Sequence, residues 1–221
     1  MIADDVLAAL LAAHAPLTPC ALVPDISAWR AVDELPLWQA LESAAGAPVD
    51  PPFFAVAWPG AQALARAIKD GLVDVAGAVV ADVGCGSGVA ALAALLHGAA
   101  RVVAVDVDAL AVQSAALLAA DQAGSERALL FSGRSGDALA DPGLVRDADV
   151  ILAGDLVSSA RHAPGFRAAV AQWRAAGKRV VLADSGRPFF HDCGLRCVAV
   201  HDVAVPYALE GTARRTVRVY V

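Results

Sequence analysis

Apolar residues in this chain follow two rhythms, and the change between them comes near residue 78. From there to residue 184, short and almost unbroken runs of valine, alanine and leucine recur at 78–83, 101–105, 128–132, 148–153 and 179–184. Runs of that length, bounded by glycine or charged residues, predict strands buried on both faces. The stretches 87–97, 108–121 and 163–176 space their apolar residues as helices do. Strands that alternate with helices predict right-handed βαβ units and a doubly wound, Rossmann-like α/β sheet. Residues 195–203 and 212–220 are two more strand-like segments with no helix between them. They predict an antiparallel C-terminal hairpin that completes a sheet of seven strands.

The first fifty residues read differently. Asp4 is placed to cap a helix that runs through Ala13 and stops before Pro16, and a second helix is expected from Leu35 through Glu42. Pro48, Pro51 and Pro52 then enforce an extended link. Beyond it Ala61, Leu64, Ala65 and Ile68 mark one face of a helix that ends at Gly71. The expected organisation is a helical N-terminal extension over 1–50 and a ligand-binding α/β domain over 51–221.

Hydrophobic residues make up 58% of the chain and the mean hydropathy is +0.57, which raises the question of a membrane. The runs from Val6 to Ala13 and from Val89 to Leu96 are closed by His14 and His97, far short of the ~20 residues that span a bilayer. Asp4 and Asp5 stand where an export signal would carry basic residues, so the expected compartment is the cytoplasm. A net charge of −6, with basic clusters only at Arg214, Arg215 and Arg218 and at Lys178 and Arg179, argues against a nucleic-acid partner. The four cysteines read as free thiols. His191, Cys193, Cys197 and His201 have spacings that some zinc sites allow. Leu195, Cys197, Ala199 and His201 alternate onto one strand face, so small buried cysteines are expected there and no metal.

Candidate chemistry concentrates where the first strand of the sheet ends. Residues 79 to 88 read Val-Val-Ala-Asp-Val-Gly-Cys-Gly-Ser-Gly, and the next apolar run ends in Asp106. A strand, a glycine-rich turn, a helix and a second strand ending in an acid are how a nucleoside-bearing cofactor is held. A dinucleotide fingerprint from Gly84 would need a third glycine at position 89, which is Val89. Glycines at 84, 86 and 88 with Asp82 two residues earlier instead resemble motif I of class I S-adenosylmethionine-dependent methyltransferases. That cofactor brings no phosphate. It brings an ammonium that Asp82 can favour, a carboxylate suited to loop N–H groups, and a ribose diol that Asp106 can accept from. Further acids sit at the other strand ends: Asp137, with Asp141 and Asp147 as competitors, for an adenine amino group, then Gly154-Asp155, then Asp184-Ser185-Gly186-Arg187.

A narrower resemblance follows. Pro51-Pro52-Phe53-Phe54-Ala55-Val56-Ala57-Trp58-Pro59-Gly60-Ala61-Gln62-Ala63-Leu64-Ala65 is similar to the PPYWAFxWPGGQALA signature of the electron-transfer-flavoprotein β-subunit lysine methyltransferases. His97-Gly98-Ala99, Leu152-Ala153-Gly154-Asp155, Ala183 to Pro188, and Leu209-Glu210-Gly211-Thr212 agree with the same family. The resemblance implies a seven-stranded fold and methyl transfer from S-adenosylmethionine to a lysine of a protein such as the electron transfer flavoprotein β-subunit, leaving S-adenosylhomocysteine. It places Trp58 against the cofactor, Gly84, Cys85, Gly86, Ser87 and Gly88 at its amino acid end and Asp106 at its ribose; Asp82, Val107, Asp137 and Gly154 complete the expected cofactor contacts. Asp155 would orient the acceptor as the catalytic residue, with Asp184 and Glu210 as further candidates. The chain departs from the family in three places. Leu156-Val157-Ser158-Ser159 lacks the aromatic that follows Asp155, Leu118 to Gln122 replaces Asn-Ala-x-x-Asn, and Ser185 replaces a proline. The missing aromatic keeps two rivals open: a small-molecule N-methyltransferase acting on an amine or heteroaromatic nitrogen, and a cofactor-binding module without turnover.

Overall fold

The computed structural model describes residues 2–157, 159–161, 163–207 and 211–221. Ser158, Leu209 and Glu210 lie outside the described residues. In chain order the elements are α1 (Asp4–His14), β1 (Leu17–Pro19), β2 (Ser27–Trp29), α2 (Glu34–Ala45), a 3-10 turn (Phe53–Ala55), α3 (Pro59–Lys69), β3 (Val79–Val83) and α4 (Val89–Leu96). There follow β4 (Arg101–Asp106), α5 (Ala109–Gln122), α6 (Ser125–Ala128), β5 (Phe131–Ser135), β6 (Val150–Gly154), α7 (Ala163–Ala175), β7 (Arg179–Asp184), β8 (Cys197–Ala204) and β9 (Arg214–Tyr220).

Seven strands form one sheet in the order β5-β4-β3-β6-β7-β9-β8. β3 to β7 are mutually parallel, and β9 runs antiparallel to both β7 and β8. The apolar runs explain the arrangement. Neighbouring residues of β3 point to opposite faces, Val80 into one core and Ala81 into the other, and both are buried. One face packs α3, α4, α5 and the N-terminal elements around Leu64, Leu92 and Leu118. The other packs α7 through Phe166, Val170 and Trp173 against Val105 and Ile151. The chain order reverses between β3 and β6, and in such sheets the crevice at the carboxyl ends of those two strands is where ligands bind.

Several expectations need correction. The fifth strand begins at Phe131, not 128: Ala128 closes the short α6, and Leu129 and Leu130 are exposed. The apolar run continues ahead of this edge strand into residues that are exposed and not part of it. Asp4 is the first residue of α1 and not its cap; its carboxylate takes a bond from Gln113. The N-terminal segment also holds the small β1–β2 hairpin beside its helices. Ser27 exchanges two backbone bonds with the Gln122 side chain of α5, which fixes that hairpin on the sheet domain. The C-terminal cysteines are not buried strand residues: Cys197 is exposed on β8, and Cys193 lies in a loop at φ 56. His191 Nδ1 accepts from the Cys193 N–H, and no group of three or more potential metal ligands occurs among the described residues. No helix there is long and apolar enough to cross a membrane.

Candidate cofactor and acceptor site

The turn after β3 is built by its glycines. Gly84, Gly86 and Gly88 have φ of 66, 44 and 73°, a region that side chains with a Cβ rarely adopt. The N–H groups of Gly84 and Cys85 both donate to Val105 O at the end of β4, at 2.8 and 3.1 Å, which pins the turn to the neighbouring strand. A Cβ on Gly88 would lie 2.8 Å from Ala115 Cβ, so this glycine lets α5 pack against the start of α4. That close helix packing is what the third glycine of a dinucleotide fingerprint provides one residue later.

Two acids frame the turn. Asp82, 3% exposed, accepts from Ala91 N at 3.0 Å. Burial pushes its carboxyl up to about 7, and the charge of Asp106 adds to that, against the Ala91 bond. Asp106 accepts from Gly86 N at 2.9 Å through one oxygen and from Asp108 N at 3.0 Å through the other. Each oxygen keeps acceptor capacity beyond one N–H. Asp108 in turn caps α5 through Leu110 N. Val107 beside it is exposed. Between the glycines, burial drives the Cys85 thiol well above its ordinary range, and the buried Ser87 Oγ has no hydrogen-bond partner among the described residues. The loop after β5 reaches the same place: Gly136 N donates to Asp106 O, and exposed Asp137 closes a local turn with Leu139 N.

Across the crevice a second arrangement joins three elements. A Cβ on Gly154 would stand 2.9 Å from Ala61 N, and one on Gly60 would stand 2.7 Å from Asp155 N. These two glycines allow the first turn of α3 to lie directly on the end of β6. Asp155 sits there at φ 49 with its side chain 3% exposed. Its carboxylate accepts from Gly60 N at 2.6 Å, a free donor at the helix N-terminus, and from Ser185 N and Oγ at 2.9 and 2.7 Å. Arg187 Nε lies 3.5 Å from the same carboxylate, and its guanidinium carbon lies 5.5 Å from the Trp58 ring centroid. Trp58 is held in turn by its indole N–H on Phe53 O. Asp184 anchors the Gly186 and Arg187 amides through one oxygen, while the other is buried without a hydrogen-bond partner. Burial raises this carboxyl to about 6, and Asp155 raises it further, against the bond from Arg187 N. The two arrangements touch through Leu156, whose Cδ1 lies 2.4 Å from where a Gly84 Cβ would be.

Residues 63–159, which include the turn and Asp155, match the family model for ribosomal protein L11 methyltransferase. Two relatives are electron transfer flavoprotein β-subunit lysine methyltransferases. The one from Danio rerio is 32% identical over 154 residues, 67% of this chain and 56% of that protein. The one from Xenopus laevis is 41% identical over 100 residues, 43% of this chain and 36% of that protein. The chain thus spans about a third to just over half the length of these relatives. A crystal structure of magnesium protoporphyrin IX methyltransferase from Synechocystis PCC 6803 has the same fold, with a TM-score of 0.52 at 17% identity over 72% of this chain and 76% of that one. The family model and the two relatives support a class I S-adenosylmethionine-dependent methyltransferase, and the fold agrees.

The residues at the turn fit the cofactor of that class. A buried carboxyl raised to about 7 is a group that a neighbouring cation would return to its ionised form, and the cofactor carries an ammonium and a sulfonium. The unpartnered Ser87 hydroxyl and the positive-φ glycines leave polar groups and open backbone on the same turn. The sequence located Trp58, Asp82, Asp106 and the glycines of this turn, and the structure brings Gly154 and Asp155 to the facing strand end. Gly60, Leu156 and Ser185 stand inside motifs of the sequence without a site role of their own there. The signal for Gly60 lies in Trp-Pro-Gly and Gly-Asp: both carry a glycine because those two backbones touch.

Proposed function

We propose that this protein transfers a methyl group from S-adenosylmethionine to the side-chain amine of a lysine in a protein, with the β-subunit of electron transfer flavoprotein as the candidate acceptor. The observation that carries this reading is the bracket of Trp58, Asp155, Ser185 and Arg187 facing the glycine turn across the β3–β6 crevice. The named activity of the relatives from zebrafish and frog supports it.

The cofactor supplies a methyl already activated on a sulfonium, so the protein's work is positioning, which in favourable intramolecular systems is worth roughly 7–11 kcal/mol. Asp82 holds the ammonium end, the Gly84–Gly88 turn with Cys85 and Ser87 holds the carboxylate end, and Asp106 takes the ribose hydroxyls. Val107 and Asp137 border the adenine, and Gly154 and Trp58 line the side from which the acceptor enters. Asp155 orients the acceptor site through Gly60 and Arg187 rather than by touching the amine, because its carboxylate is already surrounded by donors. An amine attacks only when neutral. Arg187 offsets the Asp155 charge, so the bracket does not favour a protonated amine as a lone carboxylate would. The free cysteines suit a reducing compartment such as the cytoplasm.

The test is incubation with isotopically methyl-labelled cofactor and recombinant β-subunit, followed by mass spectrometry of its peptides. Methylated lysine is the expected result. The stretch that follows Asp155 carries no aromatic to pack a lysine's alkyl stem, and that favours the second reading, a small nitrogen acceptor. Label on small amines and none on the protein would establish that reading instead, and cofactor binding without any transfer would leave a binding module.

A further inference from the structure

A cleft of about 970 Å³ opens beside Trp58, between the N-terminal elements and the sheet domain. Its walls come from the β1–β2 hairpin, residues 30–35 leading into α2, the Trp58–Pro59 corner, and residues 204–206 at the end of β8. No residue of the glycine turn lines it, and neither does Asp106. It therefore lies apart from the groups that fit the cofactor, and Trp58 is the member of the Asp155 bracket that lines it. Its size is at the upper end for small-molecule pockets, and a single lysine side chain would leave most of it unfilled.

The rim is unusual for a surface that stays in water. Val32 and Leu35 line the cleft with exposures of 91% and 54%. Phe53, packed against Trp58, and Tyr207, next to Pro206 of the wall, are also exposed. Apolar residues gathered at one groove and rimmed by charge mark protein contacts. The charges are Arg30, Asp33 and Glu34, none of which forms an ion pair among the described residues. The carboxylates of Glu34 and of Asp33, which also takes the Leu35 N–H as the cap of α2, stand against one guanidinium on a chain of net charge −6 and fit a basic occupant.

We propose that this cleft docks the polypeptide flanking the target lysine, an extended, apolar and basic segment of the methyl-accepting protein. The proposal rests on the reading of a protein acceptor and adds the surface that selects it. The N-terminal elements, clamped to α5 through Ser27 and Gln122, then serve as a specificity wall for the acceptor. The segment lies across Trp58, and its lysine passes that corner toward the β3–β6 crevice.

The test compares wild type with the double variant Val32→Asp/Leu35→Asp, both positions being exposed, using recombinant electron transfer flavoprotein β-subunit as acceptor. Docking predicts a KM for the β-subunit raised by about tenfold or more, with kcat retained and S-adenosylhomocysteine affinity unchanged. Glu34→Gln should also raise KM, and Arg30→Ala should lower it. An equal KM in variant and wild type would overturn docking alone and leave the acceptor reading standing. Wild type that binds S-adenosylhomocysteine but leaves the β-subunit unmethylated would overturn the acceptor reading and, with it, the docking. A wild-type dimer that the double variant converts to monomer would assign the cleft to a second copy of this chain, and would also overturn the proposal.

Discussion

The two walls of the β3–β6 crevice are built by different means. The cofactor wall is local: strand, turn, helix and strand follow one another between residues 79 and 106, and its hydrogen bonds join the turn to the next strand and Asp82 to the helix between them. The acceptor wall is assembled from afar. Gly60 meets Asp155 across 95 residues of chain, and Asp155 meets Ser185 across 30. Backbone shape makes the first wall, whereas a buried carboxylate makes the second by gathering donors from α3 and the loop after β7. A local wall tolerates change in its surroundings, while an assembled one depends on a single side chain.

The contrast can be broken from either side, and the largest effect expected is a pH dependence on the cofactor wall. Asp82 is raised in the folded protein to about 7, so the native state keeps a proton that the unfolded chain gives up near pH 4. Stability must therefore fall as pH rises through that window, by on the order of 4 kcal/mol at its full extent. Asp184, raised to about 6, acts in the same direction over the lower part of it. Denaturant titrations from pH 4 to 8 should show the decline, and Asp82→Asn should flatten most of it. A wild-type curve that rises over this range would show Asp82 to be ionised and satisfied without ligand.

On the acceptor wall, Asp155→Ala removes the acceptor for Gly60, Ser185 and Arg187 together. It should cost about 3 kcal/mol of stability, the scale for stranding one partner of a buried pair. A loss below 1 kcal/mol would mean that the bracket is not what joins α3 to β6. Two glycines separate crowding from conformation. Gly60→Ala drives a methyl into the Asp155 backbone and should cost about 2 kcal/mol. Gly86→Ala meets nothing closer than 3.9 Å and should cost about 1 kcal/mol through its φ alone. Asp106→Ala should leave the acceptor wall intact but weaken S-adenosylhomocysteine binding about tenfold, or ~1.4 kcal/mol. Unchanged affinity there would remove Asp106 from the ribose.

The same division decides what was legible in the sequence. The parallel strands showed because burial on both faces demands unbroken apolar runs, and the turn showed because three alternating glycines have few other uses. The β1–β2 hairpin did not show, since its hold comes from Gln122, 95 residues away. The fifth strand was displaced because Leu129 and Leu130 are apolar yet exposed at an edge. Cys193 and Cys197 misled for the opposite reason, as small residues of buried type in an exposed segment. Asp155 was located but its surroundings were not. A carboxylate at a strand end looks the same in sequence whether it faces a substrate or a helix N-terminus.

The most direct test of the account is calorimetric titration of wild type with S-adenosylhomocysteine, beside NAD under the same conditions. Micromolar binding of S-adenosylhomocysteine with no heat from NAD is the predicted result. Binding of NAD, or of neither ligand, would contradict the assignment of the Gly84–Gly88 turn and of every residue placed around it.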